Sequence, residues 1–324
     1  MSKSRFHAHR RSRRRADVAL AAITLAVLFG IGACSSSNNT TANDRPSTPD
    51  QAAPACPVEA LEVVVSVDQW SDLVATLAGS CADVTTVIAG TAADPHDYEP
   101  TPADSAAVTT ADLVVVNGAG YDTWATDAVA AADPSPAVVD AAKVMGVLDG
   151  DNPHLWYSPE AVDQVGAAVT TALGDLRPTA RDYFAARSGD WSTALAPWRD
   201  ALDTTRAVAN GRPYGATETV FDLQADWLGM TNATPAGFVA SSLNETDPSP
   251  GDLAAFDQQL SSAAVDVLVV NAQTESAVSD ELRRSADAAA VPVVEVTESI
   301  PPGAAGFVDW QVGQLRALRE ALSS

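Results

Sequence analysis

Short runs of β-branched and aliphatic residues recur along the chain, separated by stretches in which apolar positions return every three or four residues. Leu61–Val67 is the first run and reads as a buried strand. Helical spacing from Trp70 to Leu77 follows, then strands at Val84–Ala89 and Leu113–Val116, the latter closing in Asn117-Gly118. A helix from Tyr121 to Ala131 and a short strand at Ala137–Val139 come next. Pro159–Leu173 is amphipathic, with Ser158 placed to cap it and Pro159 at its first position. A helical stretch then runs from about Thr179 to Asn210, with Pro197 predicting a kink or break. Beyond it the alternation resumes: strand Pro213–Ala216, helix Thr219–Leu228, strand Val265–Val270, helix Glu275–Ala289, strand Val291–Val296 and a closing helix Gly306–Leu322.

Strands that alternate with helices need crossover connections, so the pattern predicts an α/β fold with parallel sheets. It divides into an α/β lobe over residues 56–177, a connecting helical segment over 178–210 and a second α/β lobe over 211–324. In such sheets ligands bind beyond the carboxyl ends of the strands, which places the expected site in the cleft between the lobes. The architecture repeats, although no internal sequence repeat is evident.

The first 55 residues break this pattern. Lys3, Arg5, Arg10, Arg11, Arg13, Arg14 and Arg15 precede an apolar run from Val18 to Ile31, which reads as a secretory signal over residues 1–33. The run ends in Ile31-Gly32-Ala33-Cys34, which resembles a bacterial lipobox, so Cys34 is the expected lipid attachment point. Residues 34–55, rich in Ser, Thr, Asn and Pro, read as a flexible tether. The predicted location is the outer face of the bacterial cytoplasmic membrane, with the protein anchored by lipid.

Processing changes the charge. Seven of the 19 Lys and Arg and one of the 42 Asp and Glu lie before Cys34, which leaves 12 basic and 41 acidic residues and a net charge of −29. A nucleic-acid partner is excluded, because nothing would neutralise its phosphates. Of three cysteines, Cys56 and Cys81 remain once Cys34 carries lipid. Outside the cytoplasm such a pair favours a disulfide. Cys56 precedes the first strand and Cys81 the second; neighbouring parallel strands start at one sheet edge, where the two thiols meet.

His96 and His154 are the only histidines beyond the leader, and they share a setting: Asp94-Pro95-His96 and Asn152-Pro153-His154. Each follows a proline in a loop past a strand end, where restricted backbone aims the ring in advance. A lone histidine of this kind is more often structural. Two in matching contexts point to metal ligation. Carboxylates should complete the site, and position singles out Glu218 and Glu298, each just past a predicted strand of the second lobe. On position alone a carboxylate that merely starts a helix is the better explanation of either.

From about Leu61 to its end the chain resembles the zinc/manganese solute-binding proteins of ABC importers. Asp94-Pro95-His96-Asp97-Tyr98-Glu99-Pro100-Thr101-Pro102-Ala103-Asp104 is similar to that family's first ligand loop. Ala111–Gly118 is similar to its next strand, and Asn152-Pro153-His154-Leu155-Trp156 to its second ligand loop, with Asn152 where Asp is usual. Glu218-Thr219-Val220-Phe221 matches the third ligand segment and Thr297-Glu298-Ser299-Ile300 the fourth, where the family usually has Asp. The resemblance implies that His96, His154, Glu218 and Glu298 hold one Mn²⁺ or Zn²⁺ as cargo between lobes joined by a rigid backbone helix. It implies a monomeric receptor that delivers the ion to an ABC permease and its ATPase subunits, and no enzyme activity. The chain departs from the family in lacking a histidine-rich loop, and Asn271-Ala272-Gln273-Thr274-Glu275 replaces a more acidic stretch, which leaves the part played by Glu275 open.

Two carboxylates with two imidazoles allow five or six contacts, which favours Mn²⁺ over tetrahedral Zn²⁺. Competing classes are a secreted zinc hydrolase and a receptor for a chelated metal of the siderophore type. Against the first, no His-Glu-x-x-His helix or Gly-x-Ser-x-Gly elbow is present, and four protein ligands leave little room for a nucleophilic water. Against the second, a chelated ion would make both Pro-His loops unnecessary.

Overall fold

The computed structural model describes residues 55–90, 98–244, 246–274 and 276–323. The signal segment, Cys34, almost all of the tether, His96 with the loop before it, and Glu275 lie outside the described residues. The first half holds β1 (Leu61–Val67), α1 (Ser71–Ala78), β2 (Ala82–Ile88), α2 (Pro102–Thr110), β3 (Leu113–Val116), α3 (Thr123–Ala131), β4 (Ala137–Asp140), α4 (Ala141–Met145) and α5 (Pro159–Leu176). Two helices, α6 (Arg181–Ala194) and α7 (Ala196–Ala209), lead to the second half. That half comprises β5 (Pro213–Ala216), α8 (Asp222–Leu228), β6 (Thr231–Asn232), α9 (Ala236–Leu243), α10 (Pro250–Ser261), β7 (Val267–Asn271), α11 (Ala277–Ala288), β8 (Val293–Val296) and α12 (Phe307–Ala321).

Each half has a four-stranded, fully parallel sheet, ordered β2-β1-β3-β4 in the first and β6-β5-β7-β8 in the second. These are the same order, so the architectural repeat read from the sequence is a repeat of topology too. The central strands are apolar throughout: all four residues of β3 and all five of β7 are buried. The strand order reverses direction beside β1 and β5, and the crevice beyond that point is where an open α/β sheet takes its ligand.

The connecting segment is two helices separated at Leu195, two residues before Pro197. Proline has no N–H to continue the ladder and its ring crowds the preceding turn, which accounts for the break. The helix expected from Thr219 opens as a 3₁₀ turn, Thr219–Phe221, and the one expected from Glu275 begins at Ala277. Ser158 caps α5 as expected, its side chain accepting from the Ala161 N–H.

Both sheets lie in one compact unit. Aromatic side chains join the halves: Tyr157 packs on Trp310 and Phe221 with ring centroids 5.9 and 6.1 Å apart, while Trp198 of α7 packs on Phe307 at 5.3 Å. Polar contacts add to this. The Asp72 carboxylate accepts the Phe307 N–H at 2.5 Å, and the Tyr157 hydroxyl donates to the Thr297 carbonyl at 2.7 Å. Cys56 and Cys81 form a disulfide with Cα atoms 4.9 Å apart, tying the chain before β1 to the start of β2.

Candidate functional site

The cleft is lined by Gly120 from the loop after β3, Pro153 and His154 from the loop after α4, and Glu218, Thr274 and Glu298 from the loops after β5, β7 and β8. Each loop is held by its own polar anchor. After β3 the chain turns through Gly118, Ala119 and Gly120, all with positive φ (75°, 53° and 82°). Glycine takes this conformation without strain, whereas Ala119 takes it at a cost of about 1 kcal/mol. The buried Asp122 carboxylate holds the turn, accepting from the N–H groups of Asn117 and Gly118 at 2.7 and 2.9 Å and from the Ser66 hydroxyl. Burial pushes the Asp122 carboxyl above the usual range, and these hydrogen bonds oppose the rise. The turn delivers Tyr121 to the cleft, where its hydroxyl donates to Glu298 Oε2 at 3.0 Å.

The His154 loop is anchored twice. Asn117 Nδ2 donates to the Pro153 carbonyl at 2.8 Å. Asn152 Oδ1 accepts from the His154 N–H at 3.0 Å and lies 2.7 Å from its Nδ1, while Asn152 Nδ2 donates to the Thr219 carbonyl at 2.8 Å. An amide oxygen only accepts, so Nδ1 of His154 carries the proton and Nε2 keeps its lone pair. That nitrogen lies 3.7 Å from Glu298 Oε2. Asn152, where the resemblance leads one to expect Asp, thus sets the ligand-competent tautomer and bridges to the loop after β5.

On the opposite wall Glu218 follows β5 and Glu298 follows β8, as the sequence placed them. They meet through Asn271, the last residue of β7: its Nδ2 lies 2.7 Å from Glu218 Oε2 and 2.9 Å from Glu298 Oε1. Burial raises the Glu218 carboxyl, and the nearby Glu298 charge adds to the rise; hydrogen bonds from Asn271 and Thr274 and the proximity of His154 oppose it. Gln69, just past β1, donates to the Glu298 carbonyl at 2.9 Å, and Gln273 Oε1 accepts the Ser299 N–H at 2.8 Å. Three predicted site residues, His154, Glu218 and Glu298, therefore line one cleft. Among the described residues alone, no three His, Cys, Asp or Glu side chains are gathered closely enough to hold a metal ion.

Asn271, Asn152, Tyr121 and Gln69 were not read from the sequence as site residues. A polar residue closing an otherwise apolar buried strand, as Asn271 closes β7, was the available signal.

Next to the cleft, Asp222 is pushed up to about 6, chiefly by burial, with the Tyr214 hydroxyl bond opposing and the Asp226 charge adding. The unfolded chain releases this proton near the ordinary value of 3.8. Any stabilisation from Asp222 is therefore complete below that value and is lost as pH rises to about 6. Asp222→Asn should accordingly flatten the pH dependence of metal-free stability between pH 4 and 6, measured as urea midpoints in the presence of a chelator. Parallel curves for the two proteins would disprove the assignment.

Two parallel sheets of equal strand order, with loops from both facing one cleft, define a two-lobed solute-binding protein. The chain belongs to the family of the periplasmic component A of zinc-uptake complexes, whose model matches residues 63–321. It is 25% identical over 252 residues to the high-affinity zinc uptake system protein ZnuA of Bacillus subtilis, covering 71% of this chain and 77% of that one. It is 29% identical over 136 residues to the manganese-binding lipoprotein MntA of Halalkalibacterium halodurans, covering 40% and 44% of the two chains. Among solved structures, the solute-binding protein FpvC of Pseudomonas aeruginosa in complex with Mn²⁺ superposes with a TM-score of 0.67 at 21% identity, covering 82% of this chain and 99% of that one. The family consists of receptors for metal transport, so the hydrolase alternative falls away.

Proposed function

We propose that this protein is the extracytoplasmic receptor of an ABC importer, capturing one divalent transition metal, Mn²⁺ or Zn²⁺, through His96, His154, Glu218 and Glu298. Solute-binding proteins of this family work with a permease and an ATPase. The observation that carries the reading is the buried His154 ring, held at Nδ1 by Asn152 with its Nε2 3.7 Å from Glu298 Oε2, in a cleft that Glu218 also lines. Two neutral imidazoles and two carboxylates neutralise a divalent ion, and nitrogen with oxygen donors suits this group of metals. The two lobes, 56–177 and 211–324, are joined through 178–210, and the protein acts as a monomer. Metal-free protein should bind one Zn²⁺ or Mn²⁺ and gain about 2.7 kcal/mol of stability at one hundred times Kd. The affinity should fall as the solution is made more acidic, because protons compete with the ion for the ligand lone pairs. Calorimetric titration and thermal melting test this, and a melting temperature indifferent to both metals would remove the proposal.

The anchor belongs to the same reading. Cys34 as the lipidated first residue of the mature chain would hold the protein at the membrane, since each buried methylene contributes about 0.8 kcal/mol. Cys34→Ser should shift the protein from the membrane fraction to the soluble one. Unchanged sedimentation with membranes would locate the anchor elsewhere.

A further inference from the structure

The loop that carries Glu298 runs over residues 297–306, between β8 and α12, and contains no helix or strand of its own. It belongs by sequence to the second half, where Asn271, Gln273 and Gln314 hold Glu298 Oε1, the Ser299 N–H and the Thr297 N–H. Side chains of the first half hold its backbone as well, at the start, the middle and the end. Tyr157 donates to the Thr297 carbonyl at 2.7 Å, and Gln69 Nε2 to the Glu298 carbonyl at 2.9 Å. Asp68 Oδ1 accepts the Ile300 N–H at a long 3.5 Å, while its Oδ2 accepts the Gly90 N–H at 2.6 Å just past β2. Asp72 Oδ2 accepts the Phe307 N–H at 2.5 Å. Asp68, Gln69 and Asp72 all sit in the short stretch 68–72 that leads from β1 into α1.

Two of these contacts are closely specified. Gln69 is 1% exposed, and a carbonyl only accepts, so its amide nitrogen must face Glu298. The same nitrogen lies 3.1 Å from the Tyr121 hydroxyl, which donates to Glu298 Oε2 at 3.0 Å. Gln69 thus holds Glu298 at its backbone and, through Tyr121, at its carboxylate. At the far end of the loop α12 starts after Gly306, which has no side chain to cap the helix. Asp72 supplies the acceptor from the other half and sets a negative charge at the positive end of α12. A Cβ on Gly306 would stand 2.2 Å from Asp72 Oδ2, so only glycine leaves room for this cap.

Resting on the receptor reading above, we propose that Gln69 and Asp72 are positioning residues for ion capture. They clasp the Glu298 loop to the first half and so keep Glu298 Oε2 within 3.7 Å of His154 Nε2, although neither lines the cleft. A side chain that is to take up an ion must be aimed beforehand, and a loop without regular structure leaves the aiming to whatever grips it.

The test is the affinity for Zn²⁺ alone and for Mn²⁺ alone, by competition with chromophoric chelators, well below the unfolding transition of each metal-free variant. Gln69→Met, which keeps the bulk and loses the donor, should weaken both ions about tenfold or more, the scale on which groups supporting a metal ligand act. Asp72→Ala, which touches neither Glu298 nor the cleft, should weaken them about two- to thirtyfold. Gly306→Ala displaces the same carboxylate from the helix side and should match Asp72→Ala, so the clasp can be read even where Gln69→Met folds poorly. Wild-type affinity in a folded Gln69→Met or Asp72→Ala protein overturns the part assigned to that residue. The reference for a merely structural role is the Cys56→Ser, Cys81→Ser protein, destabilised at a place away from the cleft. An equal loss of affinity there would mean that any loosening of the fold weakens the site, and it overturns the proposal too. Wild-type protein that binds neither ion would sink the receptor reading itself, a separate outcome from unchanged affinity in variants of a protein that binds both.

Discussion

His154→Ala is expected to weaken binding of both Zn²⁺ and Mn²⁺ by more than about 100-fold, the upper end of what is lost when only a supporting group of a metal ligand is removed. The expectation follows from the local chemistry. Nε2 is the one ring nitrogen with a lone pair to give, and Asn152 holds the ring so that this pair points to Glu298. Alanine also leaves the buried Glu298 and the half-buried Glu218 without the imidazole that lies 3.7 Å from Glu298 Oε2. Asn152→Ala provides the graded control: the ring stays, its tautomer is no longer imposed, and the loss should be smaller. Competition titration of the purified variants measures both. Wild-type affinity in His154→Ala would remove this residue from the site and leave the fold and family untouched.

Loss of the Cys56–Cys81 bridge should have the largest effect on stability. The two cysteines are 25 residues apart, and in the loop-entropy model closing a loop of this size contributes about 3–4 kcal/mol. Against a total stability of roughly 5–15 kcal/mol for a globular unit, that is a substantial share. The Cys56→Ser, Cys81→Ser double variant should therefore unfold at clearly lower urea concentration, and reductant should move the wild type to the same midpoint. Coincident unfolding curves with and without reductant would show that the bridge contributes nothing. The bridge lies at the amino edge of the first sheet, away from the cleft, so metal affinity measured well below the unfolding transition should be unaffected.

Three strands were legible to the residue: Leu61–Val67, Leu113–Val116 and Pro213–Ala216 were expected and found. Helices of weak amphipathicity were missed. Pro102–Thr110 is small and polar, yet Thr101 and Asp104 form a complete capping box at its start. Pro250–Ser261 carries the same Ser-Pro opening as α5, with Ser249 accepting from the Asp252 N–H. Cap chemistry signalled both where periodicity did not. In the cleft, His154, Glu218 and Glu298 were singled out in the sequence by residue type and by their place in loops. The polar residues that hold them were not: Gln69 and Tyr121 reach Glu298 only once the two sheets have come together, and Asn271 reaches Glu218 and Glu298 only once β5, β7 and β8 lie side by side, which no local pattern records.

The grip of Gln69 on the Glu298 carbonyl spans 229 residues, and the hold of Asn152 on Thr219 spans 67. These spans give metal binding a place in time. As the chain is made, His154 and Asn152 come first, Thr219 later, Glu298 later still, and α12, whose Phe307 and Trp310 pack against Trp198 and Tyr157, almost last. An unfinished chain carries imidazoles and carboxylates but no cleft in which they are aimed. The cleft is therefore complete only when the last helix docks, wherever in the cell that happens.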